Sequence, residues 1–265
     1  MRRSERMLLI DLANSVQELT ATLKELRESQ REVLERLAAV EQGVERIHEV
    51  SQGRVRTQYA QIEDLLALYR DIDPSASLPR MRDWAAGPEL LRFLYEEVMA
   101  HKRTRVLECG SGTTTVIMAY AMRSLGSGTV TALEHDPRFA ELTRRELTVR
   151  GLADWAEVVD AGLSEVEVDG DLWRWYDTAA IPSGELDMLL VDGPPADTGL
   201  QARYPALPLL ADRLAGYAVV VLDDANRPDE RAITERWTGR FPQFELQRLK
   251  HERGTVVLRP TTRLQ

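Results

Sequence analysis

The strongest constraint on the fold is an alternation of short apolar segments with helix-like segments, which begins near residue 103. The segments RVLEC, TVTALE, AEVVDA, LDMLLVDG and YAVVVLDD are typical of buried strands. Helix-like segments of about 10 to 15 residues follow several of them, a pattern that predicts a parallel, doubly wound α/β sheet of the Rossmann-like class. FELQRLK and GTVVLRP, joined by a tight turn between His251 and Gly254, predict a final hairpin with one antiparallel strand. We therefore expect seven strands.

Two connections in this region are predicted with less regular patterns. The stretch with Trp173, Trp175 and Tyr176, between the third and fourth strands, is interpreted as a loop. The segment YPALPLLADRLAG, before the fifth strand, is interpreted as a helix.

Ligands of such sheets bind outside the carboxyl ends of the strands. The chemistry is therefore expected in five segments, at residues 108–115, 134–136, 160–163, 192–195 and 223–226.

A long proline-free stretch, from Leu9 to about Val50, precedes this region and has apolar residues every three or four positions. With Leu9 as heptad position a, every a and d position up to Ile47 is apolar except Gln30. A stripe only two positions wide is buried best against another such stripe, so the pattern predicts a coiled coil. A single amphipathic helix that packs on its own domain is the alternative. Dimer, trimer and tetramer remain open, and Gly43 is a point where the helix could bend or end.

A second helical stretch from Val55 to Tyr69 ends before Pro74, and a further helix is predicted to begin at Pro88. These patterns divide the chain into three parts. We expect a coiled-coil oligomerisation helix over residues 1–54, a helical adaptor over 55–100 and an α/β domain over 101–265.

The composition of the chain bears on its binding partners and on its location. The formal net charge of −9 and the pI near 5.1 argue against nucleic acid as a bulk electrostatic partner. No apolar run approaches the roughly 18 residues of a membrane span. The lone cysteine, Cys109, is compatible with a reducing compartment, so a cytoplasmic location is expected.

The loop LECGSGTTT, after the first strand, has the features of a ligand-binding turn. Gly110 and Gly112 let the backbone approach a ligand, but Thr115 stands where a dinucleotide loop has its third glycine. Glu108 would repel a pyrophosphate and suits a cationic ligand. Glu134, at the end of the second strand, can accept both hydroxyls of a ribose. Together these residues favour S-adenosylmethionine over a nicotinamide cofactor, which leaves a Rossmann oxidoreductase as a disfavoured alternative.

The segments VLECGSGTTT, VTALEHDP, LDMLLVDGPP and ARYPALPLLADRLAGYAVVVLDDANRPDE resemble the class I S-adenosylmethionine-dependent methyltransferases, in particular bacterial small-molecule or sugar O-methyltransferases. The resemblance covers roughly residues 80–260. It implies that Gly110, Ser111 and Gly112 hold the methionine end of the donor and Glu134 its ribose. It also implies that the turn Asp160-Ala161-Gly162 holds the adenine, with His135 beside the ring. Glu108, Thr115 and Asp192 complete the expected donor site.

Three carboxylates are expected beside the donor methyl, because Asp192 ends one strand and Asp223 and Asp224 end the next. Crowded like charges require a raised pKa or a bound hard cation. Metal-dependent members of the family carry ligands at matching positions, so the resemblance implies a Mg²⁺ site, with Asp192 and Asp224 as catalytic residues. The alternative is that Arg203 or Arg227 pairs with these carboxylates and no metal binds.

Other candidate residues have weaker patterns. Four aromatic residues could line an acceptor pocket or belong to the core: Trp84, Trp175, Tyr176 and Tyr204. None of the four histidines is a clear base by position, and His251 is expected on a distant hairpin. The sequence thus predicts an oligomeric, Mg²⁺-assisted O-methyltransferase that acts on a hydroxyl of a sugar, glycan or secondary metabolite. The alternative is a coiled-coil scaffold that binds S-adenosylmethionine without turnover.

Overall fold

The structure is a computed structural model that describes residues 3–81 and 85–261, so Trp84 lies outside the described residues. The chain divides into two compact units, residues 1–58 and 59–265. The helices are α1 (Arg3–Ile72), α2 (Pro88–His101), α3 (Thr113–Leu125), α4 (Pro137–Val149), α5 (Ala206–Leu210) and α6 (Pro228–Arg240). The strands are β1 (Arg105–Cys109), β2 (Thr129–Glu134), β3 (Ala156–Asp160), β4 (Leu163–Val168), β5 (Asp171–Tyr176), β6 (Leu186–Val191), β7 (Leu214–Leu222), β8 (Phe244–Leu249) and β9 (Thr255–Pro260).

The first unit consists of the part of α1 before residue 59. The predicted stretches from Leu9 to about Val50 and from Val55 to Tyr69 both belong to α1, which continues through Gly43 without interruption. Each apolar seam residue from Leu9 to Ile47 is between 52% and 70% exposed. Among the described residues, no helix is long and apolar enough to cross a membrane.

The second unit contains a seven-stranded sheet in the order β3-β2-β1-β6-β7-β9-β8. β9 is antiparallel to β7 and to β8, whereas β1, β2, β3, β6 and β7 pair in parallel. The predicted Rossmann-like sheet with one antiparallel strand is therefore confirmed.

Helices cover both faces of the sheet because its central strands are apolar on both faces. Val106 of β1 packs in a core with α2, α3 and α4, whereas Leu107 packs in a second core with α5 and α6. All six residues of β6 are buried, as expected for a strand in the middle of a doubly wound sheet. The end of α1 contributes Leu68 and Ile72 to the first core.

One prediction about the connections is wrong. The region interpreted as a loop is an antiparallel hairpin of β4 and β5, in which Val168 pairs with Asp171. Asp169 and Gly170 form its turn with φ of +59° and +83°. Both angles are positive, as the two central residues of a type I′ turn require. Asp-Gly between alternating apolar residues is the sequence signal for this hairpin.

The helix predicted at YPALPLLADRLAG is also much shorter than expected. α5 ends at Leu210, a single 3₁₀ turn covers Ala211–Arg213, and β7 begins at Leu214. Arg213 donates from Nε to the carbonyl oxygen of Gly184 over 3.0 Å. This contact ties the chain to the segment before β6, so residues from Leu214 onward extend the sheet instead of the helix.

Candidate active site

Backbone hydrogen bonds between neighbouring segments continue past the ends of the parallel strands and hold the predicted loops side by side. The amide of Gly110 donates to the carbonyl of Leu133 over 2.9 Å, and the amide of Asp192 donates to the carbonyl of Cys109 over 3.0 Å. The amide of Asp223 donates to the carbonyl of Val191 over 3.1 Å. The loops after β1, β2, β6 and β7 therefore form one continuous edge.

The glycine loop after β1 has a backbone that suits close approach of a ligand. Gly110 has φ of +108°, in the region that favours glycine. A Cβ on Gly110 would lie 3.5 Å from the carbonyl carbon of Asp192, so this position faces the loop after β6. The amide of Gly112 donates to Thr115 Oγ1 over 3.0 Å at the start of α3. Thr115, in place of a third glycine, thus closes the loop onto its own helix.

Glu108 is fully buried beneath this loop. Its two carboxylate oxygens accept hydrogen bonds from Thr114 Oγ1 and, over 2.6 Å, from Thr115 Oγ1. Burial raises the pKa of Glu108 from 4.5 to about 7, although the two hydroxyl groups lower it. The carboxylate therefore supports the first turn of α3 from below.

Glu134 anchors the loop after β2. Its Oε2 accepts from Ser111 Oγ over 2.9 Å, and its Oε1 accepts from the amide of Asp136 over 3.0 Å. Ser111 Oγ also lies 3.1 Å from Thr143 Oγ1 of α4. His135 Nδ1 lies 3.0 Å from Glu134 Oε1. The predicted methionine-end residue Ser111 and the predicted ribose residue Glu134 are thus in direct contact.

The predicted adenine turn follows β3 at the same edge. The amide of Ala161 donates to the carbonyl of Glu134 over 2.8 Å, which places Asp160, Ala161 and Gly162 next to the loop after β2. Ala161 is buried, and Asp160 forms an exposed ion pair with Arg144 at 2.9 Å.

The three predicted carboxylates converge after β6 and β7. One oxygen each of Asp192, Asp223 and Asp224 lies within 4.8 Å of the other two. Burial, followed by the charge of Asp223, raises the pKa of Asp192 well above its ordinary value. Burial, followed by the charge of Asp224, raises the pKa of Asp223 to about 6. The cluster is therefore short of compensating positive charge.

Arg203 supplies part of that charge from within the cluster. Its Nη2 lies 3.3 Å from Asp192 Oδ1 and 3.1 Å from Asp224 Oδ2, and Nη1 donates to the carbonyl of Asp223 over 3.0 Å. Arg227 Nη1 adds a contact of 2.8 Å to Asp224. The ion pairs considered in the sequence analysis are present, and Asp192 and Asp224 share the same guanidinium.

Three of the aromatic acceptor candidates lie in the second core. Trp175, Tyr176 and Tyr204 are all buried there. Tyr204 donates from its hydroxyl to Asp169 over 2.6 Å, whereas Tyr176 Oη has no hydrogen-bond partner among the described residues.

The turn between β8 and β9 is a further part of this edge, and the sequence pattern did not predict it there. Because β9 is antiparallel, its first residue lies where the parallel strands end. Ala225 donates to the carbonyl of Gly254 over 2.9 Å, and Asn226 donates to the carbonyl of Arg253 over 3.0 Å. His251, expected on a distant hairpin, instead lines a cavity together with Asp223.

Comparison with known proteins agrees with this geometry. Residues 107–225 match a family described as "Methyltransferase domain". Similar solved structures include an O-methyltransferase from Bacillus cereus in complex with S-adenosylhomocysteine, with 15% identity, 78% of this chain and 97% of that chain covered and a TM-score of 0.52.

Two further structures have the same fold. One is the O-methyltransferase TomG from Streptomyces achromogenes, which is involved in tomaymycin synthesis and was solved with S-adenosylmethionine. It has 16% identity and a TM-score of 0.50, and the match covers 74% of this chain and 86% of that chain. The other is cofactor-bound Rv0187 from MTB, with 23% identity and a TM-score of 0.51, and the match covers 75% of this chain and 89% of that chain. A search of curated protein sequences found no match.

The sheet order, the glycine loop and the family match define the class. The second unit has the fold of class I methyltransferases, and residues 107–225 form its methyltransferase domain.

The raised pKa of the buried Glu108 carboxyl should make the stability of the protein depend on pH. Its pKa in the folded state is raised above the unfolded value, so the folded state binds the proton more tightly and stability falls as pH rises from 4.5 to about 7. Glu108→Gln removes this titration. Wild type therefore loses stability between pH 5.5 and pH 8 that the variant keeps. The free energy of unfolding of the variant minus that of wild type is expected to rise by about 1 to 3 kcal/mol over this range.

Urea unfolding at several pH values measures this difference. Glu157→Gln, at an exposed position of β3, is the matched control and is expected to follow wild type. A Glu108→Gln difference that is independent of pH would contradict the raised pKa.

Proposed function

We propose that the chain is an O-methyltransferase that transfers the methyl group of S-adenosylmethionine to a hydroxyl of a sugar, glycan or secondary metabolite. The adjacency of the glycine loop and the acidic cluster carries this proposal. The hydrogen bond between the Asp192 amide and the Cys109 carbonyl joins them directly. A donor held by its methionine end at Gly110–Gly112 would therefore have its methyl group close to Asp192.

The proposed donor site uses groups with complementary chemistry. Glu134 would accept the two ribose hydroxyls, and Ser111, already bonded to Glu134, would link the ribose and methionine ends. Asp160, Ala161 and Gly162 would border the adenine, with His135 beside the ring. Glu108 would act through the loop, because its oxygens accept from Thr114 and Thr115.

Glu134→Ala tests the donor assignment. The variant loses two charge-assisted hydrogen bonds to the ribose, so its affinity for S-adenosylhomocysteine is expected to fall at least about tenfold. Isothermal titration calorimetry measures the dissociation constant, and Glu157→Ala is the control with the same change at an exposed site. Unchanged affinity of Glu134→Ala would rule out this donor position.

The acidic cluster has the properties of a hard-cation site, so we include Mg²⁺ in the proposal. Asp192, Asp223 and Asp224 offer only oxygen ligands, which Mg²⁺ prefers. When bound, the ion would lower the pKa of the acceptor hydroxyl and orient it. Arg203 remains a competitor for the same oxygens, and in the alternative arrangement Arg203 and Arg227 neutralise the cluster without a metal.

Metal binding is tested with Mg²⁺ alone. Protein freed of divalent ions by a chelator is expected to gain thermal stability on addition of MgCl₂, compared with NaCl at equal ionic strength, because a ligand that binds only the folded state stabilises it. Asp223→Asn is expected to lose this gain, whereas Asp212→Asn, at an exposed site away from the cluster, is expected to keep it. Equal midpoints in the two salts would favour neutralisation by Arg203.

For the rest of the chain, we propose a coiled-coil oligomerisation helix over residues 1–54 and a helical adaptor over 55–100 before the catalytic domain at 101–265. The exposed apolar seam of α1 supports self-association, because an isolated helix cannot bury it. A cytoplasmic site of action belongs to the same proposal.

Leu23→Asp combined with Leu37→Asp tests the seam at two a positions. Charges at these positions oppose packing of the stripe, so the wild-type oligomer, between dimer and tetramer, is expected to become a monomer. Light scattering after size-exclusion chromatography measures the mass. Ala21→Asp combined with Ala39→Asp places the same charges outside the seam and is expected to leave the oligomer intact; a monomeric wild-type chain would contradict the proposal.

A further inference from the structure

The turn between β8 and β9 is fixed against the end of β7 at close range. A Cβ on Gly254 would lie 2.6 Å from the side chain of Asn226, so only glycine permits this approach. Asn226 also donates from Nδ2 to the carbonyl of Glu252 over 3.2 Å. The turn that carries His251 is therefore held beside the acidic cluster.

The helical segments before the sheet hold the same turn from the other side. Glu89, at the start of α2, accepts from the amide of Glu252 over 2.8 Å. Gln61 of α1 donates to Glu252 Oε2 over 2.6 Å. The turn is thus bonded to α1, to α2 and to the segment after β7.

The imidazole of His251 is oriented by two contacts. Its Nδ1 lies 2.9 Å from Thr255 Oγ1, and its ring meets Phe93 edge-on at a centroid distance of 6.3 Å. When Nδ1 carries the hydrogen and donates it to Thr255, the lone pair of Nε2 is the proton acceptor. His251 is only partly buried, as a group that must reach a ligand requires.

His251 lines a small, partly open cavity of about 70 Å³, which has room for the reacting end of an acceptor. Its lining includes His251 and Asp223, together with residues from α1, from the start of α2 and from the turn. The described lining contains three carboxylates, Glu89, Asp223 and Glu252, and one guanidinium, Arg253. This balance favours a neutral or cationic ligand over an anionic one.

We propose that this cavity is the acceptor site, that it takes a neutral or cationic hydroxyl compound, and that His251 removes the proton of the reacting hydroxyl. The inference rests on the proposed O-methyltransferase function and assigns its acceptor side. Asp223 belongs to both the acidic cluster and the cavity, so an acceptor bound there lies next to the proposed position of the donor methyl.

The proposed step is a methyl transfer from the sulfonium of the donor to the acceptor oxygen. The acceptor O–H bond breaks and its proton goes to Nε2 of His251. The oxygen electron pair forms a bond to the methyl carbon, the carbon–sulfur bond breaks, and its electron pair neutralises the sulfonium, which leaves S-adenosylhomocysteine. A protonated imidazole then returns the proton to water.

The protonation state of His251 suits this role. Burial lowers the pKa of His251 below its ordinary value of 6.5, against an opposing effect of Asp64. The described charged groups that line the same cavity are Glu89, Asp223, Glu252 and Arg253, and Asp64 is the charged group that acts on the pKa of His251. The imidazole is therefore neutral near pH 7.

Methyl transfer from labelled S-adenosylmethionine tests the proposal with two matched acceptor series. One series is methyl glucoside, glucosamine and glucuronate, and the other is catechol, dopamine and 3,4-dihydroxybenzoate. The neutral and cationic members are expected to react faster than the anionic ones. His251→Gln is expected to lower kcat by about 10² to 10⁴ while it keeps wild-type affinity for S-adenosylhomocysteine. His101→Gln, at an exposed position on α2, is the control and is expected to keep full activity.

The pH profile separates a catalytic from a structural role. Wild-type kcat/KM is expected to rise with pH below 6.5 and then to level off. In His251→Gln the rise is expected to be less steep, because only the carboxyl groups of the acidic cluster still titrate in this range. Activity of His251→Gln within threefold of wild type, preference for the anionic acceptors, or donor binding without transfer to any acceptor would each overturn the inference. A wild-type chain that does not bind S-adenosylhomocysteine would instead refute the proposed function itself.

Discussion

The structure depends most on the parallel pairing of β1 with β6 and its continuation beyond the strand ends. The Asp192 amide bonds to the Cys109 carbonyl, and the Asp223 amide bonds in turn to the Val191 carbonyl. Because the register of these strands is fixed by buried apolar residues, a shift by one residue would turn the apolar side chains of one core toward the other. The same pairing that forms the core therefore aligns the glycine loop with the acidic cluster.

Concentrated negative charge is the main energetic cost of this arrangement. Four buried or nearly buried carboxylates, those of Glu108, Asp192, Asp223 and Asp224, lie at or beneath one edge of the sheet. Threonine hydroxyls satisfy the first, and Arg203 is shared between two of the others. Burial without full pairing raises the pKa values of Asp192 and Asp223, a property that is common at functional sites.

Local patterns predicted the parts of the fold that depend on periodicity. The strands around Glu108, Glu134, Asp192 and Asp223 were predicted because buried strands are apolar throughout, and their loops then met at one edge as the topology requires. The β4–β5 hairpin was not predicted, although Asp169-Gly170 at its turn is a local hairpin signal.

His251 could not be located from the sequence because its position depends on long-range pairing. A final hairpin with one antiparallel strand inserted at the edge of the sheet was predicted, but not which of its two strands pairs with β7. The pairing of β9 with β7 brings the turn to the acidic edge. The pairing of Arg203 with both Asp192 and Asp224 likewise depends on how the segment after β6 folds back.

A crystal structure of the chain with S-adenosylhomocysteine tests the central claim most directly. The ribose hydroxyls are expected to bond to Glu134, and the sulfur is expected to face the space between Asp192 and the cavity lined by His251. A product molecule bound elsewhere, or one with its sulfur directed away from the acidic cluster, would contradict it.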